Sequence, residues 1–423
     1  MAVVDFQPAG ANGLRREALD WLSSEVGAYD MIPLHGGGSP ALVWQARSAA
    51  GEPIVVKFLD AAAGLVDGHD LRTFLLKPRQ IAHVHAHAPG LSSCYAQVIA
   101  EWHGPGMAAY VMPHYAGAPL GNALKPATAN VPGFLATLSK ILGKLTDEGY
   151  AAAEWPADAS HFHLRYLDRI RRRLPLLRAH LDDRLIDGAG AWINGRWRPP
   201  LTRLLGRLAS DHGLIARIAP TRLHFPVHGD LNLGNLLVRT GGFTALDPRG
   251  TLSPWDSVYD MAKIVFSLTV YEPAMAGGFV VGLSAAADGN PAYRLVLRHP
   301  RPASLIAASA LPGMLGALPF FARLDRVDPG WRQRLAFAHA LHCLAEAACR
   351  LSDRKPLRLP GGPRGWAACL ELANGLLLTG LSLLDDLLAD HLAGSLRLVP
   401  PVLTEIAGPS GVMPESSALE SLA

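Results

Sequence analysis

The segment 225–238, F-P-V-H-G-D-L-N-L-G-N-L-L-V, sets an imidazole, a carboxylate and two amides into a run that otherwise reads as a buried strand. His228, Gly229 and Asp230 lead it, Asn235 follows five places after Asp230, and a second carboxylate, Asp247, comes twelve places after Asn235 at the end of the next apolar run. A hard divalent cation takes carboxylate and amide oxygens, and a hydroxyl that must give up its proton needs a carboxylate within hydrogen-bond reach. One loop between two short strands can supply both. The plainer alternative is that Asp230 and Asn235 are turn residues of an ordinary hairpin, which Asp, Asn and Gly populate for local hydrogen-bonding reasons.

Two upstream features weigh against that alternative. Lys57 lies inside I-V-V-K-F-L, flanked by Val55, Val56 and Phe58. A lysine in such a run destabilises the fold unless its ammonium meets charge. Further upstream, Gly36, Gly37 and Gly38 precede a strand and can let backbone N–H groups approach phosphates, although a bare glycine run is as readily a flexible loop.

Glycine loop, strand lysine, H-x-D-L-x-x-x-N and a final Asp follow the order found in protein kinases. The chain resembles the aminoglycoside phosphotransferase and choline kinase-like family, the small-molecule branch of the protein kinase-like fold. V-H-G-D-L-N-L-G-N-L-L-V is similar to that family's H-G-D-x-x-x-x-N loop, and A-L-D-P-R-G stands where its metal-binding aspartate falls. The resemblance implies that Asp230 faces the accepting hydroxyl, that Asn235 and Asp247 hold Mg2+, and that Lys57 and the 36–38 glycines position ATP or GTP. Y-V-M-P-H-Y-A-G-A-P-L, 110–120, resembles the hinge between lobes, placing Met112 and His114 beside the nucleotide with backbone groups toward adenine. Y-D-M-A-K, 259–263, resembles the downstream Y-D-x-A helix, so Asp260, with His228, is expected to brace the catalytic loop.

Departures from protein kinases narrow the acceptor. Gly229 replaces the arginine of H-R-D, D-P-R replaces D-F-G, and only twelve residues separate Asp247 from Asp260, too few for a long activation segment. A small-molecule hydroxyl acceptor is therefore expected rather than a protein. Between Lys57 and Glu101 there is no glutamate to pair with the strand lysine. Asp70 and Gln80 are the stand-ins the sequence offers, and a nucleotide-binding pseudokinase without turnover stays open as the alternative.

The elements that must position these groups are legible as two patterns. From 30 to 112, short apolar runs alternate with turns: A-L-V-W-Q-A-R-S, the hairpin signal A-A-G-E-P, I-V-V-K-F-L, then Y-A-Q-V-I-A and A-A-Y-V-M. After Pro113 the period becomes helical, with Phe134, Leu138, Ile141 or Leu142, and Leu145 between Pro132 and Gly149, and with 331–351 and 374–392 as further long helices. The expected fold is α+β and bilobal, protein kinase-like: a small antiparallel-sheet N-lobe over 1–112, a mainly helical C-lobe over 113–400 in which the catalytic hairpin is an isolated strand pair, and a mobile tail over 401–423.

With 423 residues, 49% hydrophobic and 18% charged, the chain can fill more than one core. Its four scattered cysteines and a start without a basic end and apolar run suit a reduced cytoplasmic protein. The uncharged stretch 302–322 approaches membrane-spanning length, but Pro312 and Pro319 interrupt it, so a buried helix pair is expected and no membrane partner. His83, His85 and His87 share a face if extended and can bind zinc, although a surface loop is the simpler reading. R-I-R-R-R-L, 169–174, reads as a solvated helix face rather than a nucleic-acid contact. The segment 161–222 nevertheless holds thirteen Arg, no Lys, five Asp and no Glu, a net of +8 in a chain of formal charge +3. In the resembling family this stretch helps build the acceptor pocket, so a neutral or anionic acceptor is favoured over a polycation, with Asp385, Asp386 and Asp390 as the groups that could still serve a cationic one.

Overall fold

The computed structural model describes residues 12–34, 40–61, 68–127, 129–298, 301–352 and 365–394. Gly36, Gly37 and Gly38 and the 401–423 tail lie outside them.

The first lobe is a five-stranded antiparallel sheet in the order β1-β2-β3-β5-β4, formed by β1 (Tyr29–Pro33), β2 (Leu42–Arg47), β3 (Pro53–Asp60), β4 (Ala100–Gly104) and β5 (Met107–Pro113). Strand alternation explains the apolar run around Lys57. Ile54, Val56 and Phe58 point to the face covered by helix α1 (Asn12–Ser24), while Val55 and Leu59 pack with Phe74 of helix α2 (Leu71–His87) on the other. Lys57 is on that second side, and because β3 is central its backbone is held from both flanks, by Val43 and by Tyr110. The fourth strand begins only at Ala100; Y-A-Q-V-I-A is mostly irregular, with Tyr95 bridging to Ala245 of the other lobe.

The three histidines lie in a helix, neither in the surface loop preferred for H-V-H-A-H nor in the extended segment weighed for zinc. They occupy the C-terminal end of α2, a helix on which Phe74, Ile81 and Val84 make a buried stripe at helical spacing. His83 and His87 stack at 4.1 Å between ring centroids, while His85 turns toward the Ala96 carbonyl, so the three do not converge.

The second lobe is mainly helical and contains the largest core, into which α3 (Val131–Leu145) projects Phe134, Leu138, Ile141, Leu142 and Leu145. Its central pair is the Trp331–Ser352 and Trp366–Leu392 helices, the second beginning eight residues before the expected 374. They approach so closely that a Cβ on Gly380 would lie 2.6 Å from Leu344. By length and composition Trp366–Leu392 could cross a membrane, yet 72% of its apolar window is buried within the protein. The 302–322 stretch forms two helices, Pro302–Gly316 and Pro319–Val327, bent by 74° at the break.

The 236–245 hairpin is not as isolated as its sequence suggests. Leu236–Arg239 pairs with Gly242–Ala245 across Thr240-Gly241, and also with Ala118–Pro119. The lobe contains, besides, the two-stranded pair Glu154–Pro156 with Arg222–His224 and a four-stranded sheet whose longest hairpin is Phe279–Ala285 with Pro291–Leu297. Asp288 and Gly289, with Gly289 at φ +76°, turn that hairpin.

Candidate active site

The loop after Arg222–His224 is held by one buried carboxylate. Asp260, in the Val258–Phe266 helix, accepts from the His228 amide at 2.8 Å, the Gly229 amide at 2.7 Å and the Tyr150 hydroxyl at 2.7 Å. Burial raises its pKa to about 7 despite these three donors. His228 is fully buried. Its Nδ1 accepts from the Asp230 amide at 3.2 Å, so the proton sits on Nε2, which donates to the Leu246 carbonyl at 2.9 Å. Burial lowers its pKa to about 4, and the ring serves as a neutral strut between the two strands' ends.

Gly229 has φ +76°, and a Cβ there would lie 2.7 Å from Cβ of Arg249. The Gly of H-G-D and the Arg of D-P-R are thus one device: the absent side chain makes room for Arg249, whose guanidinium lies over the Trp255 and Tyr259 rings.

From this scaffold Asp230 and Asp247 reach one cavity of about 850 Å3 between the lobes, together with Asn235 and Lys57. Asn235 donates from Nδ2 to the Asp230 backbone carbonyl at 2.8 Å, which makes Oδ1 the end of its amide available to a cation. Asp247 has φ +54°, a backbone conformation costly for a non-glycine residue. Its Oδ1 takes the Lys57 ammonium at 2.6 Å and a second ammonium, from Lys77 of α2, also at 2.6 Å. These cations hold the Asp247 carboxyl far below the usual range, while burial, with Lys77 adding to it, lowers Lys57 to about 8.

Lys77 settles what stands opposite the strand lysine. Asp70 instead caps α2, accepting from the Thr73 amide at 2.9 Å. Gln80 donates to the Val227 carbonyl and accepts from the Gly250 and Thr251 amides at 2.6 and 2.7 Å, tying α2 to the segment after Asp247. Neither is the partner of Lys57; a cation occupies the position where a helix carboxylate was expected.

Asp230 has its own ammonium. Lys263 lies 2.9 Å from its Oδ1 and 3.0 Å from Oε1 of Glu346, which also meets Arg169 and Arg350. Lys263 holds the Asp230 carboxyl below its ordinary value in spite of burial. Lys263 is one turn beyond Asp260 in an otherwise apolar helix, the signal that could have found it. Glu346 and Arg350 lie in A-E-A-A-C-R-L, two charges at i, i+4 in a wholly buried stretch.

Toward the expected hinge, Met112 and His114 both line the cavity, but the His114 amide donates to the Pro53 carbonyl at 3.0 Å. The backbone donor expected for adenine is therefore not His114. Ala41, Val43 and Val55 from the sheet and Leu237 and Leu246 from the helical lobe make the apolar part of the cleft. Of the thirteen arginines in 161–222, Arg169 and Arg173 line the cavity. Asp385 and Asp386 are not among the lining residues; they pair with Arg198, Asp386 at very short range, and Asp385 also with Arg207, which corrects their expected availability to a cationic ligand.

No protein-family model and no curated protein matches the chain. Solved structures similar to it include an amicoumacin kinase in complex with AMP-PNP and Ca2+, at 12% identity and TM-score 0.47, covering 89% of this chain and 94% of that one. An aminoglycoside-3'-phosphotransferase of type VIII is 18% identical with TM-score 0.46, covering 77% and 97%. A macrolide 2'-phosphotransferase type I is 14% identical with TM-score 0.37, covering 80% and 92%.

Proposed function

We propose that this protein transfers the γ-phosphoryl group of ATP or GTP to a hydroxyl of a small molecule, sugar-like or a natural product. The observation that carries the reading is that Asp230, Asn235 and Asp247, fixed on one hairpin, open into the same cleft as Lys57. In this reading the base lies in the apolar slot between Val55 and Leu237, and Lys57 and Lys77 turn from Asp247 to the nucleotide phosphates. Asp230 orients the acceptor hydroxyl and takes its proton as the new O–P bond forms and the bond from Pγ to the leaving nucleoside diphosphate breaks. Lys263 keeps that carboxylate ionised and fixed. Catalysis is then placement and charge neutralisation rather than covalent chemistry.

Asn235 Oδ1 and the Asp247 carboxylate are hard oxygen donors, and two protein ligands completed by phosphate and water suit Mg2+. Bound there, the ion would supply positive charge to the β- and γ-phosphates. Lys77 in place of a helix carboxylate favours, as a second reading, a nucleotide-binding scaffold without turnover.

The test is a Mg2+-dependent assay of nucleoside diphosphate release over aminoglycosides, other antibiotics, choline-like amines, nucleosides, free sugars and sugar phosphates. Turnover of one class, lost in Asp230→Asn, is expected. Nucleotide binding with no turnover of any class would select the scaffold, and turnover surviving Asp230→Asn would remove Asp230 from its role.

A further inference from the structure

We infer that Glu272 reads the sugar of the nucleotide: its carboxylate accepts the 2′- and 3′-hydroxyls of ribose, so that the donor must be a ribonucleotide. The inference rests on the phosphotransferase reading and adds a specificity-determining residue to its donor site. Three observations carry it. The first is what this carboxylate lacks. Five carboxylates line the cavity among the described residues. Asp70 accepts from the Thr73 amide, Asp230 from Nδ2 of Asn232 at 3.0 Å, Asp247 from Lys77 and Glu346 from Lys263, so each of these has a donor at hydrogen-bond distance. Glu272 meets none among the described residues: its one ion pair, with Arg301, is 3.9 Å long, and its side chain is only 25% exposed. A carboxylate in that state accepts from water in the open cleft, and a ligand that displaces the water must bring donors of its own.

The second is place. Glu272 opens the short Glu272–Gly277 helix and rests against two glycines of the cavity wall. A Cβ on Gly234 would lie 3.6 Å from its Oε1, and one on Gly121 would lie 3.6 Å from its Oε2, so neither position sets a side chain over the carboxylate. Gly234 precedes Asn235, at the cation and phosphate end, while Gly121 follows Pro119, which pairs with Leu237 at the slot for the base. Ribose joins base to phosphates, and on the proposed function it passes between those two ends, where Glu272 stands. The third is charge. Lys125 and Arg301 line the same cavity, and both oppose the rise in the Glu272 pKa that burial causes. Two cations beside the carboxylate let it stand near a triphosphate and favour neutral hydroxyls over an ammonium as its ligand.

The test is calorimetric titration, with Mg2+ and no acceptor, of ATP, GTP and their 2′,3′-dideoxy analogues into the wild type, Glu272→Gln and Glu272→Ala. The wild type should bind the ribonucleotide about tenfold or more tighter than its dideoxy analogue. Glu272→Ala should lose most of that preference by weakening the ribonucleotide alone, the dideoxy analogue staying within about twofold, and Glu272→Gln, which keeps one oxygen, should fall between. Equal binding of the two nucleotides by the wild type would overturn the inference without any variant and leave the phosphotransferase reading intact. An equal loss for both nucleotides in Glu272→Ala would also overturn it, since the residue would then be merely structural. So would a rise in acceptor KM with the nucleotide KM unchanged in Glu272→Gln, because the carboxylate would then serve the acceptor. Failure of the wild type to bind any nucleotide would overturn the phosphotransferase reading and this inference with it.

Discussion

The two carboxylates of the cleft meet lysine in different ways. Asp247 is gripped across the lobes by Lys57 of the sheet and Lys77 of α2, two cations on one oxygen. Asp230 is gripped from within the helical lobe by Lys263, which is itself backed by Glu346. The first arrangement puts two cations on one carboxylate and spans a joint; on the proposed function its ammonium groups move from carboxylate to phosphate when a nucleotide enters. The second is built within the helical lobe, so on the proposed function the acceptor end is prepared before any ligand arrives. On that reading the donor end is assembled on binding, the acceptor end in folding.

The sharpest test of this contrast sets Asp230→Asn against Asp247→Asn. Both should lower kcat/KM by about 10³-fold or more. Asp247→Asn should also lose nucleotide affinity and cost about 3–5 kcal/mol of stability in urea unfolding, because Lys57 and Lys77 would then face each other without a carboxylate. Asp230→Asn should bind an ATP analogue normally and unfold close to wild type, since Lys263 keeps Glu346. Equal stability losses would erase the distinction. Next in size, Lys77→Glu should weaken binding of an ATP analogue by about 10²-fold in a calorimetric titration. Should the glutamate instead improve binding by restoring a lysine–carboxylate pair, Lys77 is no phosphate ligand.

Gly229→Ala tests the scaffold shared by both ends. The positive φ and the 2.7 Å approach to Arg249 should make it less stable by about 1–3 kcal/mol in urea unfolding, with activity reduced in proportion to displacement of the loop. The smallest effect concerns charge alone. Lys57, lowered to about 8, should become reactive toward an amine-acylating reagent with a midpoint near pH 8 in peptide mapping. Removing the repulsion of its neighbour by Lys77→Met should move that midpoint upward, and an unchanged midpoint would deny the coupling.

What could be read from the chain and what could not divides by distance. Asp230, Asn235 and Asp247 were legible because one loop and two short strands fix their relation, and Lys57 because an ammonium in an apolar strand demands a partner. The identity of that partner was not legible. Lys77 meets a residue 170 positions away and Lys263 one 83 positions away, relations that exist only after the lobes and helices pack. The histidines of α2 show a period missed: H-V-H-A-H reads as a surface loop, with an extended segment weighed for zinc, but the stripe of Phe74, Ile81 and Val84 decides for helix. The 279–297 hairpin was overlooked although Asp288-Gly289 carries an ordinary turn signal.

The twelve residues between Asp247 and Asp260 have a consequence for motion. Gln80 binds the amides of Gly250 and Thr251, Trp255 exchanges two backbone hydrogen bonds with His224, and Asp256 is locked to Arg334 at 2.7 Å. The span is sewn down at three points, to α2, to the Arg222–His224 strand and to the Trp331–Ser352 helix. On the proposed function, this span is a fixed part of the cleft wall rather than a moving one.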